Sequence, residues 1–269
     1  MPAAGRGVRF GASGYAKELF PLLFASEGEA LEPRPICQLA LAALGRAGAE
    51  RCVTVVSPEK LEVVRVLGAS ESGMSLAYVV QAVPGGIPHA LSCARAWLAE
   101  DDVVFAMPDT IFLPSDALAR VHAARVEARA DVMLAVFPTE EAERLGPVVL
   151  DARGAIVRIE DKPAHAAQRN TWGAASWSPR FTAFCCDWDA ARSESDPRER
   201  ALGHAFEAAR AAGLDVRATL FEDGRFLDIG TPRGLRDALS ALVTHGVLFP
   251  DQATTGHVPK NDLGGERGE

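Results

Sequence analysis

A chain of 269 residues that is 48% hydrophobic can bury a sizeable core in one domain. Its formal net charge of −8 argues against a general nucleic-acid binder, because phosphate backbones select basic faces. No run of 18 apolar residues is present, which argues against a membrane-spanning helix, and the first twenty residues lack the apolar core of a signal peptide. We therefore expect a cytoplasmic protein that binds neither nucleic acid nor membrane.

The cysteines predict no special chemistry. There are five of them, an odd number, and none shows CxxC or histidine-paired spacing. We expect them to be reduced and packed in the interior.

Apolar strands alternate with amphipathic helices over the first half of the chain. This order is typical of βαβ crossovers and of a mainly parallel sheet. The predicted elements are a short strand at Val8–Phe10, a helix at 36–48, a strand at 51–56, a helix at 57–68 with Ser57 as N-cap, a strand at 75–81, a helix at 88–100, a strand at 101–107, a helix at 114–128 and a strand at 131–139.

The second half of the chain has a different character. Residues 147–161 read as a hairpin that turns at 152–154, followed by a polar loop. The remaining predictions are a strand near 173–177, helices near 180–191 and 198–213, strands at 217–221 and 225–230, a last helix at 231–246 and a loose polar tail at 250–269. Together these predict one α/β domain over residues 1–249, with a Rossmann-like, mainly parallel sheet covered by helices on both faces.

A glycine-rich segment, Gly11-Ala12-Ser13-Gly14, follows the first predicted strand. Its backbone amides are suited to line a path for phosphates. A plain turn and a dinucleotide-binding loop are the alternatives, although Lys17 stands where the third glycine of a dinucleotide loop is needed.

Two aspartates stand at predicted strand ends. Asp109 follows the strand at 101–107, and Asp228 closes a strand before a turn into a helix. Ligands of open α/β sheets gather at the carboxyl ends of strands, and Mg²⁺ takes one or two carboxylates plus phosphate oxygens. The sequence therefore favours a Mg²⁺ site made by Asp109 and Asp228, with two unrelated turns as the alternative reading.

Glu160, Asp161 and Lys162 form a charged cluster at the end of the hairpin. A lysine there is able to bind a phosphate as a point charge, and a carboxylate is able to accept hydrogen bonds from hydroxyls. A solvated hairpin end is the alternative. His89 is expected to be a helix-start or packing residue.

These segments, taken in order, resemble the sugar-1-phosphate nucleotidylyltransferase family, particularly its glucose-1-phosphate thymidylyltransferase type. The resemblance covers about residues 8–242. It rests on GASGYAKELFPL, RPICQLALAALGRAG, YVVQAVPGGIPHAL, FAMPDTIF, LGPVVLDARGAIVRIEDKP and FLDIGTPRGLRDAL, which are similar to six family segments in the same order.

The resemblance implies a role for each matched residue. It implies a nucleotide-binding half over about 1–145 and a sugar-binding half over about 146–249. Nucleotide-binding residues would be Gly11, Ala12, Ser13, Gly14, Gln81 and Gly86; sugar-phosphate-binding residues Gly146, Asp161, Lys162 and Gly173; metal ligands Asp109 and Asp228; and catalytic cations Lys17 and Arg34.

The chain departs from the family pattern at several of these positions. Lys17 replaces the threonine-arginine pair of the family loop, and Arg34 stands where a lysine is common. Pro108 replaces the glycine that usually precedes the metal aspartate, and Leu145 replaces a tyrosine. These differences leave the identity of the sugar and of the base open.

The resemblance implies an enzyme that joins a sugar 1-phosphate to a nucleoside triphosphate and releases pyrophosphate with Mg²⁺. Glucose 1-phosphate and either dTTP or UTP are the expected substrates, and a homo-oligomer is the usual assembly. The alternatives are a cytidylyltransferase for a small phosphorylated alcohol such as phosphocholine, and a catalytically silent nucleotide-sugar-binding regulator.

Overall fold

The structure is a computed structural model that describes residues 1–5, 16–27, 30–191, 201–230 and 232–244. Within these ranges, strands and helices alternate along most of the chain. The strands are β1 (Pro21–Glu27), β2 (Ala30–Pro35), β3 (Arg51–Val56), β4 (Ser70–Glu71), β5 (Met74–Val80), β6 (Val103–Phe105), β7 (Thr110–Leu113), β8 (Val132–Pro138), β9 (Val148–Leu150), β10 (Ile156–Ile159), β11 (Asn170–Trp177), β12 (Val216–Leu220) and β13 (Arg225–Asp228). The helices are α1 (Cys37–Arg46), α2 (Glu62–Leu67), α3 (Gly86–Cys93), α4 (Arg95–Leu98), α5 (Ala117–Ala128), α6 (Pro179–Ala190), α7 (Leu202–Ala211) and α8 (Pro232–Thr244).

The largest described sheet has the strand order β12-β8-β11-β6. In it β12 and β8 are parallel, whereas β11 runs antiparallel to both β8 and β6. A second parallel pair joins β3 and β5. The sequence pattern did not specify the direction of β11, because a strand's direction follows from its connections.

Strand β8 divides the interior into two cores. Its Val132, Leu134 and Val136 pack into one cluster with residues of α6 and α7. The alternate residues, among them Met133 and Phe137, pack into another cluster with residues of α1 and α5. Since successive strand side chains point to opposite faces, helices cover this sheet on both sides, as predicted.

The first residues of the chain lie beside β3. Pro2 forms a parallel bridge with Val55, and the amide of Ala3 donates to the Val55 carbonyl oxygen at 2.7 Å. Ala4 and Gly5 therefore follow directly on this parallel segment. The predicted strand Val8–Phe10 lies outside the described residues.

Most predicted elements of residues 36–230 are present, with local differences. The predicted helix at 57–68 is a 3-10 turn, Pro58–Lys60, followed by α2, and Ser57 makes no side-chain capping hydrogen bond. The predicted helix at 88–100 is divided into α3 and α4. The sequence reading missed β1, β2, β4 and β7. The tail at 250–269 lies outside the described residues, and the assignment of 1–249 to one domain stays a prediction.

The described helices include none that is both long and apolar enough to cross a membrane. All five cysteines are free thiols, and four of them are buried. Burial, with a smaller effect of the Glu18 charge, raises the pKa of Cys37 to about 12. The expectation of cysteines packed in the interior holds for these four, whereas Cys93 is partly exposed.

Candidate active site

The two aspartates predicted as metal ligands lie side by side. Strand β13 pairs antiparallel with β7 so that Asp228 lies opposite Thr110, and the amide of Ile229 donates to the Asp109 carbonyl oxygen at 3.1 Å. Both carboxylates face Gly230. A Cβ atom built on Gly230 would lie 2.9 Å from Asp228 Oδ1 and 3.5 Å from Asp109 Oδ2. A side chain at this position would crowd the carboxylates.

Lys17 forms a charge cluster with the two aspartates, Asp109 and Asp228. Its ammonium group forms an ion pair with the carboxylate of Asp109, a residue that is only 3% exposed. Burial lowers the pKa of Lys17, but the charge and hydrogen bond of Asp109, assisted by Glu18 and Asp228, outweigh burial and raise that pKa. Lys17 is therefore a protonated cation at neutral pH, held against the aspartates.

Behind Lys17 lies a buried ion pair that sequence reasoning missed. The Lys60 ammonium donates to both carboxylate oxygens of Glu18, at 2.8 and 3.0 Å. Glu18 is 1% exposed and Lys60 8% exposed. The pair ties Glu18, which is next to Lys17 in the sequence, to Lys60, and removing one partner would leave a buried charge uncompensated.

A cavity of about 370 Å³ opens beside this cluster. It contains predicted residues from both halves of the chain. Those that line it are Lys17, Gln81, Gly86, Asp109, Gly146, Asp161, Lys162 and Gly173. Asp228 lines a second cavity of about 600 Å³, which shares Arg144, Leu145, Lys162 and Phe226 with the first.

Gln81, which lines the 370 Å³ cavity, is 5% exposed. Its side-chain nitrogen lies 2.8 Å from His89 Nδ1 and 3.3 Å from the carbonyl oxygen of Gly86. Gly86 begins α3 with a φ of +82°, a conformation that side chains rarely adopt. The structure thus adds His89 to the residues that surround Gln81.

The predicted sugar end is built around two glycines. A Cβ atom on Gly146 would lie 2.3 Å from Trp172 Nε1, and one on Gly173 would lie 2.3 Å from Phe226 Cδ2. Trp172 and Phe226 both line the 370 Å³ cavity. The glycines therefore allow two aromatic rings to form the wall of the cavity.

Asp161 and Lys162 follow β10 at the same end. The amide of Lys162 donates to the Leu145 carbonyl oxygen at 2.8 Å. The backbone φ of Lys162 is +46°. Asp161 Oδ2 lies 3.8 Å from His204 Nε2. This backbone bond ties the charged hairpin end to the loop that contains Gly146.

Arg34 and the glycine-rich segment were also predicted to belong to the site. Arg34 is exposed on β2 and does not line either cavity, so the structure does not place it with Lys17. The segment Gly11, Ala12, Ser13 and Gly14 lies outside the described residues.

The cavity is also lined by Pro2, Ala4 and Gly5, which precede the predicted loop in the sequence. These residues continue from the parallel segment beside β3, and Gly5-Arg6-Gly7 supplies a second glycine-rich pattern. This earlier pattern was the signal that could have identified them.

The carboxylates fit a metal that also binds substrate. The part of the chain that the structure describes contains no group of three or more His, Cys, Asp or Glu residues suited to hold a metal alone. Two aspartates agree with Mg²⁺, which usually keeps several waters and phosphate oxygens in its shell. Asp109 and Asp228 would hold it together with a bound triphosphate.

Sequence comparison then assigns the family. The family model described as nucleotidyl transferase matches residues 12–245, most of the chain. The chain belongs to the nucleotidyl transferase family. A glucose-1-phosphate thymidylyltransferase of Streptomyces griseus is 30% identical to this nucleotidyl transferase over 135 residues, 49% of this chain and 37% of that protein. One of Streptomyces antibioticus is 27% identical over 158 residues, 57% of this chain and 44% of that protein. The matches thus span less than half the length of these relatives.

Solved structures agree with the fold of this nucleotidyl transferase. A UDP-glucose pyrophosphorylase in complex with UDP-glucose superposes with a TM-score of 0.75 at 18% identity, covering 91% of this chain and 97% of that one. The UDP-glucose pyrophosphorylase of Acinetobacter baumanii gives 0.72 at 19% identity, with 92% and 94% covered. The predicted Rossmann-like α/β fold is confirmed.

Proposed function

We propose that this nucleotidyl transferase joins a sugar 1-phosphate to a nucleoside triphosphate and releases pyrophosphate. Glucose 1-phosphate and either dTTP or UTP are the proposed substrates. The observation that carries this proposal is the single cavity that brings Gln81, the Lys17–Asp109 pair and the Asp161-Lys162 hairpin end together. The names of the curated relatives support the same chemistry.

The reaction needs no general base. The second pKa of a phosphate monoester is about 6, so the attacking phosphate oxygen is already anionic at neutral pH. This oxygen forms a bond to the α-phosphorus while the bond from that phosphorus to the bridging oxygen breaks. The electron pair of the broken bond leaves on pyrophosphate.

The protein's main task is to overcome repulsion between two polyanions. At about 4 Å and an effective dielectric of about 20, each pair of unit charges repels by about 4 kcal/mol. Lys17 and Lys162 line the same cavity and would each place a positive charge near a phosphate. Mg²⁺ on Asp109 and Asp228, when bound, would supply further positive charge to the triphosphate oxygens.

We assign each substrate to a different group of the residues that line the cavity. The base would lie at Gln81 and Gly86, where the backbone of α3 begins with positive φ. The sugar phosphate would lie between Asp161 and Lys162, with Trp172 as part of the wall.

The experiment is pyrophosphate release with Mg²⁺ over a grid of substrates. ATP, GTP, CTP, UTP and dTTP would each be tested with glucose 1-phosphate, other sugar 1-phosphates and phosphocholine. Release with one sugar phosphate and dTTP or UTP is expected. Release only with CTP and phosphocholine would replace the proposal by the cytidylyltransferase alternative, and nucleotide binding without any release would favour a silent regulator.

A further inference from the structure

Gln81 is held by two neighbours that restrict how its amide can point. The carbonyl oxygen of Gly86, 3.3 Å away, accepts hydrogen bonds and cannot donate. The atom that faces it must therefore be the amide nitrogen. The same nitrogen lies 2.8 Å from His89 Nδ1.

These two contacts use both hydrogens of the Gln81 amide. One hydrogen goes to Gly86, and the other to His89 Nδ1, which then acts as an acceptor. A neutral imidazole with an accepting Nδ1 carries its proton on Nε2. That nitrogen lies 3.9 Å from the Cys93 sulfur, a suitable weak acceptor.

Gln81 Oε1 is then the side-chain atom that can form a hydrogen bond with a ligand. Among the described residues, none donates a hydrogen bond to Gln81 Oε1, and Gln81 lines the 370 Å³ cavity. An oxygen in this role accepts and cannot donate. It would pair with the N3–H of uracil or thymine, whereas it would oppose the lone pair at N3 of cytosine.

We propose that His89 is a positioning residue that fixes the Gln81 amide and thereby makes the site select uracil or thymine over cytosine. This inference rests on the proposed function, in which Gln81 contacts the base. Gly85 belongs to the same arrangement, because a Cβ atom built on it would lie 2.6 Å from His89 Cγ and Nδ1. Glycine at this position lets the imidazole ring lie against the loop and reach Gln81.

The test compares UTP and CTP, which differ at N3 and at the group on C4. Dissociation constants would be measured by calorimetry on the full chain with Mg²⁺ and no sugar phosphate, so that binding is judged apart from turnover. The wild-type protein is expected to bind UTP at least about tenfold more tightly than CTP. Equal affinities would overturn the inference. They would leave CTP as a candidate substrate for the transferase reaction.

Three variants isolate the role of His89. His89→Leu removes the acceptor and should reduce the UTP preference roughly five- to tenfold, the effect of about one hydrogen bond. His89→Asn keeps an acceptor near the Nδ1 position and should restore most of the preference. His165→Leu changes an exposed histidine that does not line the cavity and should leave the preference unchanged.

Gly85→Ala gives an independent check if His89→Leu does not fold. It displaces the imidazole without changing its chemistry, and it should reduce the same ratio. An unchanged UTP-to-CTP ratio in folded His89→Leu or Gly85→Ala would overturn the role of His89 alone. Failure of the wild-type protein to bind any nucleotide would overturn both this inference and the proposed function.

Discussion

Asp109→Asn is the most direct test of the charge cluster, since it removes one charge and keeps the size of the side chain. A unit charge at about 4 Å and an effective dielectric of about 20 is worth about 4 kcal/mol. Because 1.36 kcal/mol corresponds to about a factor of ten in rate, kcat/KM should fall roughly a thousandfold.

The stability of Asp109→Asn should change much less. Losing one partner of a buried ion pair costs about 3–5 kcal/mol when the other charge is left uncompensated. Here the Lys17 side chain is 19% exposed and also interacts with the charges of Glu18 and Asp228. The asparagine oxygen still accepts a hydrogen bond, so we expect a loss of about 1–3 kcal/mol and a fall in Tm of roughly 2–10 °C.

Pyrophosphate release across a Mg²⁺ titration, with melting curves on the same samples, checks both values. The matched control is Asp223→Asn, which neutralises an exposed aspartate in the turn between β12 and β13. A kcat/KM within tenfold of wild type for Asp109→Asn, at any Mg²⁺ concentration, would refute a role for Asp109 in the reaction.

Three further changes probe the sugar end and the fold. Lys162→Ala should raise KM for the sugar phosphate more than KM for the triphosphate in steady-state kinetics, and equal effects would place Lys162 elsewhere. Gly173→Ala should cost about 1–3 kcal/mol in chemical denaturation, because its methyl group would overlap Phe226; unchanged stability would contradict this contact. Burial raises the pKa of Glu207, but hydrogen bonds from Arg210 and the Ile159 amide outweigh it and lower that pKa. Glu207→Gln should therefore be less stable than wild type at neutral pH, with the gap closing as pH falls below about 4.5; a gap independent of pH would remove the ionised carboxylate from the explanation.

The sequence contained enough information to predict the alternating core and the positions of both aspartates. Strand β8 was predictable because its apolar residues form one continuous buried run. Asp109 and Asp228 were predictable as candidates because each stands at the end of a predicted strand. The position of both carboxylates beside Gly230 was not predictable, because it depends on the pairing of β7 with β13.

The errors and omissions have physical causes. Strand β7 lies between Pro108 and Pro114, and its sequence alone predicts a turn. It forms a strand because β13 provides the hydrogen-bonding partner. Met1–Ala3 is too short to show a period, and only its hydrogen bonds to Val55 reveal it. The Glu18–Lys60 pair joins residues far apart in sequence, so no local pattern indicates it.

The pairing of β7 with β13 also bears on how this protein family can vary. Asp109 and Asp228 are far apart along the chain, yet the ladder of hydrogen bonds between the two strands sets their separation. Insertions or deletions in the loops of the long intervening segment would therefore not move the carboxylates apart. A one-residue slip of β13 against β7, by contrast, would turn Asp228 to the opposite face. The spacing of the two carboxylates is thus set by one pair of strands and not by the length of the loops elsewhere in the chain.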